Sequence, residues 1–430
     1  MRIDILAIGS QGDVRPTVAL GLGLRAAGHR VRIVTLGGFE ELVRGHGLDH
    51  LSIGGSLPEI ANGAAGRDWI EHRGSAIGFL RGFVRVAATL IETGIANYWP
   101  AGRDAEALIV TPMGLPVGAS VAERLRLPLL RVSFAPSRTD WDTRKSLASA
   151  MRANSEALAV ALLRQAIWSK LRSVTNAARR KILALPPLPF TDPLRAMDRK
   201  GIPQLEAYSP AVVPRPPNWE RWIHVTGYWF LDDNPGWTPP RALVDFLAAG
   251  APPLFVGFGS TPFPGPEAAT DLVVGALRRA GQRGVVAAGG SGLATGRLSD
   301  DVLSIDFVPH NWLFPRVCAA IHHGGAGVVG AALRAGLPSV VVPVFADQPF
   351  WGQRVFELGA GPRPIPARRL SMEALVHAIQ GAVGDEDMRR RAAGIGRQIR
   401  SEDGVARAVD AFHEYVGVTR SMRSVSGGGK

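Results

Sequence analysis

The chain has a single cysteine, Cys318, in 430 residues. That excludes an internal disulfide and fits a reducing cytoplasm. Lysine is also scarce: five of the 49 basic residues are Lys. With abundant Ala, Gly and Arg, the skew reads as a GC-rich bacterial coding bias, so the formal charge of +12 says little about nucleic acid. No basic helix with interleaved aromatics occurs, and no nucleic-acid partner is expected. No run of eighteen apolar residues is present, so no membrane-spanning helix is expected. A strand pattern starts at Arg2, which argues against a signal peptide. No His/Cys cluster has zinc spacing, and no Gly-x-Ser-x-Gly elbow exists. A metal centre and a serine hydrolase are therefore not expected.

Apolar runs alternate with helical periodicity along two series. Strands at Arg2–Ile8, Arg30–Thr35, His50–Ile53, Ala107–Thr111 and Leu129–Phe134 enclose helices such as 16–27 and 115–125. A second series starts at Pro253, with strands at 254–258, 284–288, 302–306, 317–321 and 339–342. Repeated strand-helix-strand units predict an α/β chain with two doubly wound, Rossmann-like domains facing a cleft. The expected boundaries are an N-terminal acceptor domain at 1–212, a Pro- and Trp-rich linker at 213–240 and a C-terminal nucleotide domain at 241–400. A helix at 401–418 that packs back toward the first domain and a disordered tail at 419–430 complete the expectation. Mainly helical insertions at 57–100 and 143–186 interrupt the first series.

One segment combines more chemistry than the others. The apolar run Val317–Ile321 ends in His322-His323, turns through Gly324, Gly325 and Gly327, and enters an apolar helix. A helix N-terminus carries amides without internal partners and favours negative charge. Glycine lets backbone approach a phosphate closely. About twenty residues on, a second apolar run ends in Asp347-Gln348, groups suited to sugar hydroxyls. An ordinary strand-turn-helix packing motif would look similar over the glycines alone. Phe258-Gly259-Ser260-Thr261 can present amides and hydroxyls to a phosphate. Phe307-Val308 follows a strand and suits base stacking, although a lone Phe is more often core. Near the N-terminus, Gly9-Ser10-Gln11-Gly12-Asp13 leaves the first strand. Asp13 there suits either a general base or a helix cap.

Three other patterns carry less. Gly21-Leu-Gly23 matches part of a dinucleotide fingerprint but falls within a helix. Asp140-Trp-Asp142 and Asp385-Glu-Asp387 resemble metal-binding pairs, and read as a solvated loop and an acidic helix start. Residues 144–200 hold twelve basic and three acidic residues, a surplus of +9. That surplus fits a solvated helical face or a surface for anionic lipid.

The opening Gly9–Pro16, the segment His322–Gly327, the stretch Val342–Trp351 and Val225–Trp229 together resemble the family 1 glycosyltransferases of the two-domain GT-B type. The nearest resemblance is to sterol glucosyltransferases and bacterial natural-product glycosyltransferases. The resemblance implies that His323, Gly325, Ala326 and Gly327 hold the donor diphosphate, with Ser260 and Gly12 assisting. It implies that Phe307 and Val308 receive the base, Asp347 and Gln348 the sugar, and Asp13 the acceptor proton. Val328 departs from the family's usual Thr or Ser, which implies weaker or altered donor binding. The implied reaction is an inverting transfer from a UDP- or dTDP-sugar to a lipophilic acceptor, without metal or other cofactor. The insertions supply the aromatic residues Trp69, Phe79, Phe83, Trp99, Trp141 and Trp168. Phe79, Phe83 and Trp141 are the acceptor-binding candidates. A silent nucleotide-sugar-binding partner, and an epimerase or hydrolase of the same fold, are the alternatives. The implied location is the cytoplasm, with peripheral contact at the inner membrane face through 144–200.

Overall fold

The computed structural model describes residues 1–56, 59, 76–136, 147–232, 236–259 and 266–427. The chain divides into two compact units. One comprises Met1–Ala207, Val213–Leu231 and Gly404–Lys430, and the other Tyr208–Val212 and Asp232–Asp403.

The first unit is built on seven strands: β1 (Arg2–Leu6), β2 (Arg30–Thr35), β3 (Asp49–Ser52), β4 (Ala107–Val110), β5 (Leu129–Ser133), β6 (Gln204–Glu206) and β7 (Ile223–Val225). They lie in the order β3-β2-β1-β4-β5-β6-β7, and every neighbouring pair is parallel. Parallel neighbours need long crossovers, supplied here by helices such as Gln11–Ala26, Ala76–Ala101, Leu115–Leu125 and Leu147–Leu183. Helices on both faces explain why β4 reads as an unbroken apolar run and why Ile3, Ile5 and Leu6 of β1 are buried with Leu108 and Ile109. Asp4 is the fully buried polar residue of β1. Its carboxylate accepts two bonds from Arg32, at 3.0 and 2.7 Å, and one from the Tyr98 hydroxyl at 2.8 Å. That set of partners compensates the burial of its charge. Strand order reverses between β1 and β4, so the loop leaving β1 sits at the switch point of the sheet.

The second unit holds β8 (Leu254–Gly257), β9 (Gly284–Ala287), β10 (Gly296–Ser299), β11 (Val302–Ile305), β12 (Ala319–His322) and β13 (Ser339–Val341). Their order is β10-β11-β9-β8-β12-β13, all parallel except the edge pair β10 and β11. The reversal here falls between β8 and β12. The loop after β12 therefore occupies the equivalent place in this sheet.

The structure differs from the sequence expectation at several joints. The Pro- and Trp-rich stretch is not a free linker. Val213–Leu231 belongs to the first unit, contributes β7, and buries Trp219, Tyr228 and Trp229. The Trp229 indole donates to both Thr226 Oγ1 and the Gly404 carbonyl, at 3.0 and 3.1 Å. That pair ties the stretch to the start of the last helix. This helix runs Gly404–Gly427, where a disordered tail was expected from 419. Short β6 and exposed β10 carry too little periodicity to be read in advance. The first helix begins at Gln11 rather than Pro16, because Ser10 caps it.

Candidate functional site

In the second unit, the loops after β8, β9, β11, β12 and β13 leave the same edge of the sheet, because those five strands are parallel. After β12 the chain turns at Gly324, whose φ of +87° suits glycine. A Cβ there would lie 2.6 Å from Val341 Cγ1 and 3.0 Å from the Gln348 carbonyl oxygen. The turn is thus pressed against both β13 and the next helix. Gly325 is the N-cap of the helix Ala326–Ala335, and no side chain among the described residues caps that end. Gly325 and Ala326 are half-buried and Gly327 is exposed. The first amides of the helix are therefore left to a ligand or solvent.

His323 packs between glycine backbones. A Cβ on Gly325 would meet its Nε2 at 2.6 Å, and one on Gly259 would meet its Cε1 at 3.1 Å. Burial lowers its pKa from the usual 6.5 to about 4. The Gly257 backbone opposes the shift without meeting hydrogen-bond geometry, and Nδ1 is buried with no partner among the described residues. A neutral imidazole beside free helix amides is a hydrogen-bond donor for an anion. Gly289, after β9, approaches this loop as well: a Cβ there would lie 3.4 Å from the Gly259 carbonyl oxygen.

The other expected donor residues divide. Phe307 is 47% exposed, as a stacking ledge requires, and Val308 beside it is buried. Asp347 accepts the Trp351 indole N–H at 2.9 Å, and burial pushes its carboxyl above the usual range. Gln348 is buried, and its Oε1 accepts the amides of Val344 and Phe345 at 2.8 and 3.2 Å. Its oxygen thus holds the loop, and the amide nitrogen is the group left for a hydroxyl. Ala346 between them has φ +56°, a strained conformation for a residue with a Cβ. Val328 is 8% exposed within an apolar cluster containing Phe255, Leu313 and Phe314. Ser260 lies outside the described residues.

In the first unit, Ser10 and Asp13 form a capping box. Asp13 Oδ2 accepts the Ser10 amide at 2.8 Å and faces Ser10 Oγ at 3.3 Å. Gly9 makes room for it: with φ +147°, a Cβ there would lie 2.2 Å from Asp13 Oδ2. Asp13 is therefore the N3 member of the cap, with Ser10 as N-cap, and its carboxylate lies against Gly9 and Ser10 in the loop that leaves β1. Gly12 sits one position earlier, with its amide donating to Ser10 Oγ at 3.3 Å. That bond takes up the amide expected to assist the diphosphate. Of the acceptor candidates, Phe83 is half-buried on the helix Ala76–Ala101. Trp141 and Trp69 lie outside the described residues, as does the side chain of Phe79. Trp168 is core: it is buried and donates to the Pro189 carbonyl at 3.2 Å. No group of three potential metal ligands occurs among the described residues. No described helix is long and apolar enough to cross a membrane.

Residues 3–140 match the model of the glycosyltransferase family 28 N-terminal domain. Residues 277–410 match that of the erythromycin biosynthesis protein CIII-like C-terminal domain. A sterol 3-beta-glucosyltransferase of Arabidopsis thaliana is 34% identical over 429 residues, covering 97% of this chain and 66% of the relative. A second, from Cryptococcus neoformans var. neoformans, is 34% identical over 453 residues, covering 98% of this chain and 28% of the relative. The chain thus spans less than two thirds of the length of these curated relatives, which are eukaryotic. Among solved structures, the calicheamicin glycosyltransferase CalG4 matches with a TM-score of 0.66 at 21% identity, over 97% of this chain and 98% of that one. The glycosyltransferase VinC in complex with dTDP matches with a TM-score of 0.65 at 18% identity, over 98% and 100%. At such identities the likeness bears on fold alone.

Proposed function

The chain belongs to the family 1 glycosyltransferases of the GT-B type, and from that premise we propose that it transfers a hexose or deoxyhexose from a UDP- or dTDP-sugar to a hydroxyl of a lipophilic acceptor, with inversion. One observation carries the reading: neutral His323 stands beside the uncapped N-terminus Gly325–Gly327, at the switch point of the second sheet. The helix amides and imidazole N–H receive the diphosphate and stabilise the charge that develops as it leaves. Exposed Phe307 takes the base, while Asp347 and the Gln348 amide nitrogen orient sugar hydroxyls. Asp13, aimed by its bond to the Ser10 amide, accepts the proton of the acceptor hydroxyl. This set of roles needs no metal.

The test is a donor and acceptor panel: UDP-glucose and dTDP-sugars with sterols and other hydrophobic alcohols, read by mass. A product heavier by one hexose or deoxyhexose is expected. Nucleotide binding without any product would instead support a silent sugar-nucleotide-binding protein.

The lipophilic acceptor gives a reason for peripheral contact with anionic membrane through 144–200. Leu162, Leu163 and Phe190 are each more than half exposed. A bond from the Gln165 side chain to the Phe190 carbonyl, at 2.8 Å, ties the Phe190 segment to the helix that carries Leu162, Leu163 and exposed Lys170. Exposed apolar groups near basic ones suit an anionic lipid surface.

A further inference from the structure

His322 stands beside the proposed diphosphate residue but faces the other way. It closes β12, pairs in register with Gly257 of β8 and Val341 of β13, and is fully buried. Its Nδ1 accepts the Gly324 amide at 3.1 Å. A ring nitrogen that accepts has no proton, so the neutral ring carries its proton on Nε2. Burial holds the ring neutral, and the neighbouring His323 and His310 rings oppose a charge further. The Nε2 atom is buried and has no hydrogen-bond partner among the described residues. An unmatched buried donor is destabilising, so nothing in core packing recommends histidine here.

The Gly324 amide supplies the reason. Gly324 is buried in the left-handed region, wedged between Val341 and the Gln348 backbone. Its N–H would otherwise be a buried orphan at the root of the phosphate turn. The bond to His322 fixes the plane of that peptide. The same peptide sets the direction in which the Gly325–Gly327 amides leave the strand.

We infer that His322 is a positioning residue for the donor site: its Nδ1 anchors the Gly324 amide and thereby aims the helix N-terminus at the diphosphate. The inference rests on the donor reading above. It assigns the two adjacent histidines opposite duties, one touching ligand and the other shaping the turn from below.

Two substitutions separate this role from packing. Leu nearly matches the volume of His but accepts no hydrogen bond. Asn is smaller, yet its Oδ1 reaches the position of Nδ1. His322→Leu is expected to weaken UDP or dTDP binding about tenfold in calorimetry, and His322→Asn to stay within about threefold of the parent. If packing alone mattered, the order would reverse, and Leu at parental affinity overturns the inference. His323→Ala is the control for the donor reading. Loss of affinity there with none in His322→Leu sinks only the positioning role, and no loss in either sinks the donor site itself. The parent protein gives a test that needs no variant. Nitrogen-resolved NMR should show the His322 ring neutral and protonated on Nε2, with a slowly exchanging Gly324 amide. An Nδ1-protonated ring at this position overturns the inference whatever the variants do.

Discussion

Asp13, His323 and Val328 each make a claim that one substitution decides. Asp13→Asn keeps an acceptor for the Ser10 amide but removes the basic carboxylate. Turnover should fall at least about a hundredfold, with nucleotide affinity nearly intact. Unchanged turnover would remove Asp13 from the chemistry. His323 makes a prediction in pH. Its folded pKa of about 4 lies below the usual 6.5. As pH falls through 6.5 the unfolded chain takes up a proton that the folded ring refuses until about 4. Stability is therefore full above 6.5 and declines between 6.5 and 4, by at most about 3 kcal/mol. Thermal melts across that window should be steeper for the parent than for His323→Gln, and parallel curves would contradict the burial of the ring. Val328 looked in sequence like a lost phosphate contact. Its place in the apolar cluster with Phe255 and Leu313 gives a different expectation. Val328→Thr should leave nucleotide affinity within about threefold and cost about 1–2 kcal/mol of stability, by placing a hydroxyl among apolar groups. A tenfold gain in affinity would restore the phosphate role.

At the scale of elements, the two glycine-rich loops work by different means. The first is a capping box. Gly9→Ala would drive a Cβ into the Asp13 carboxylate, at 2.2 Å, from a backbone conformation that resists it. Activity should fall about as far as in Asp13→Asn, while far-UV circular dichroism keeps its helical signal. Full activity would show that the carboxylate need not lie where it does. The second loop has no side-chain cap among the described residues and leaves its amides available to a ligand. Much of both was legible beforehand. The strands β4, β8 and β12 are buried on two faces and read as apolar runs, and glycine followed by helical periodicity marked each turn. Ser10 was not legible as the cap, because Asp13 three residues on is an equally good capping type. The commitment of the Gln348 oxygen to the Val344 and Phe345 amides was hidden as well, since it depends on how the loop folds back. The strain at Ala346 has no signature in residue type.

For the whole molecule, alternating strands and helices gave two doubly wound units, and the chain shows them. The division between them was harder to place. Proline and tryptophan between 213 and 231 looked like a linker, yet Trp229 and β7 are packed in the first unit. Aromatic burial outweighed local composition there. The apolar groups Leu162, Leu163 and Phe190 make a further prediction at this scale. The parent should bind vesicles rich in anionic lipid at low salt and leave them at high salt. Replacing all three with Ser should abolish binding, and equal binding to neutral vesicles would leave the surplus charge without a role.

The central claim, that the turn after β12 grips a sugar nucleotide's diphosphate, is tested most directly by a crystal structure with UDP or dTDP bound. Phosphate oxygens should lie about 2.7–3.2 Å from the amides at 325–327 and within reach of the His323 ring. A nucleotide seated elsewhere, with that helix end facing only solvent, would contradict it.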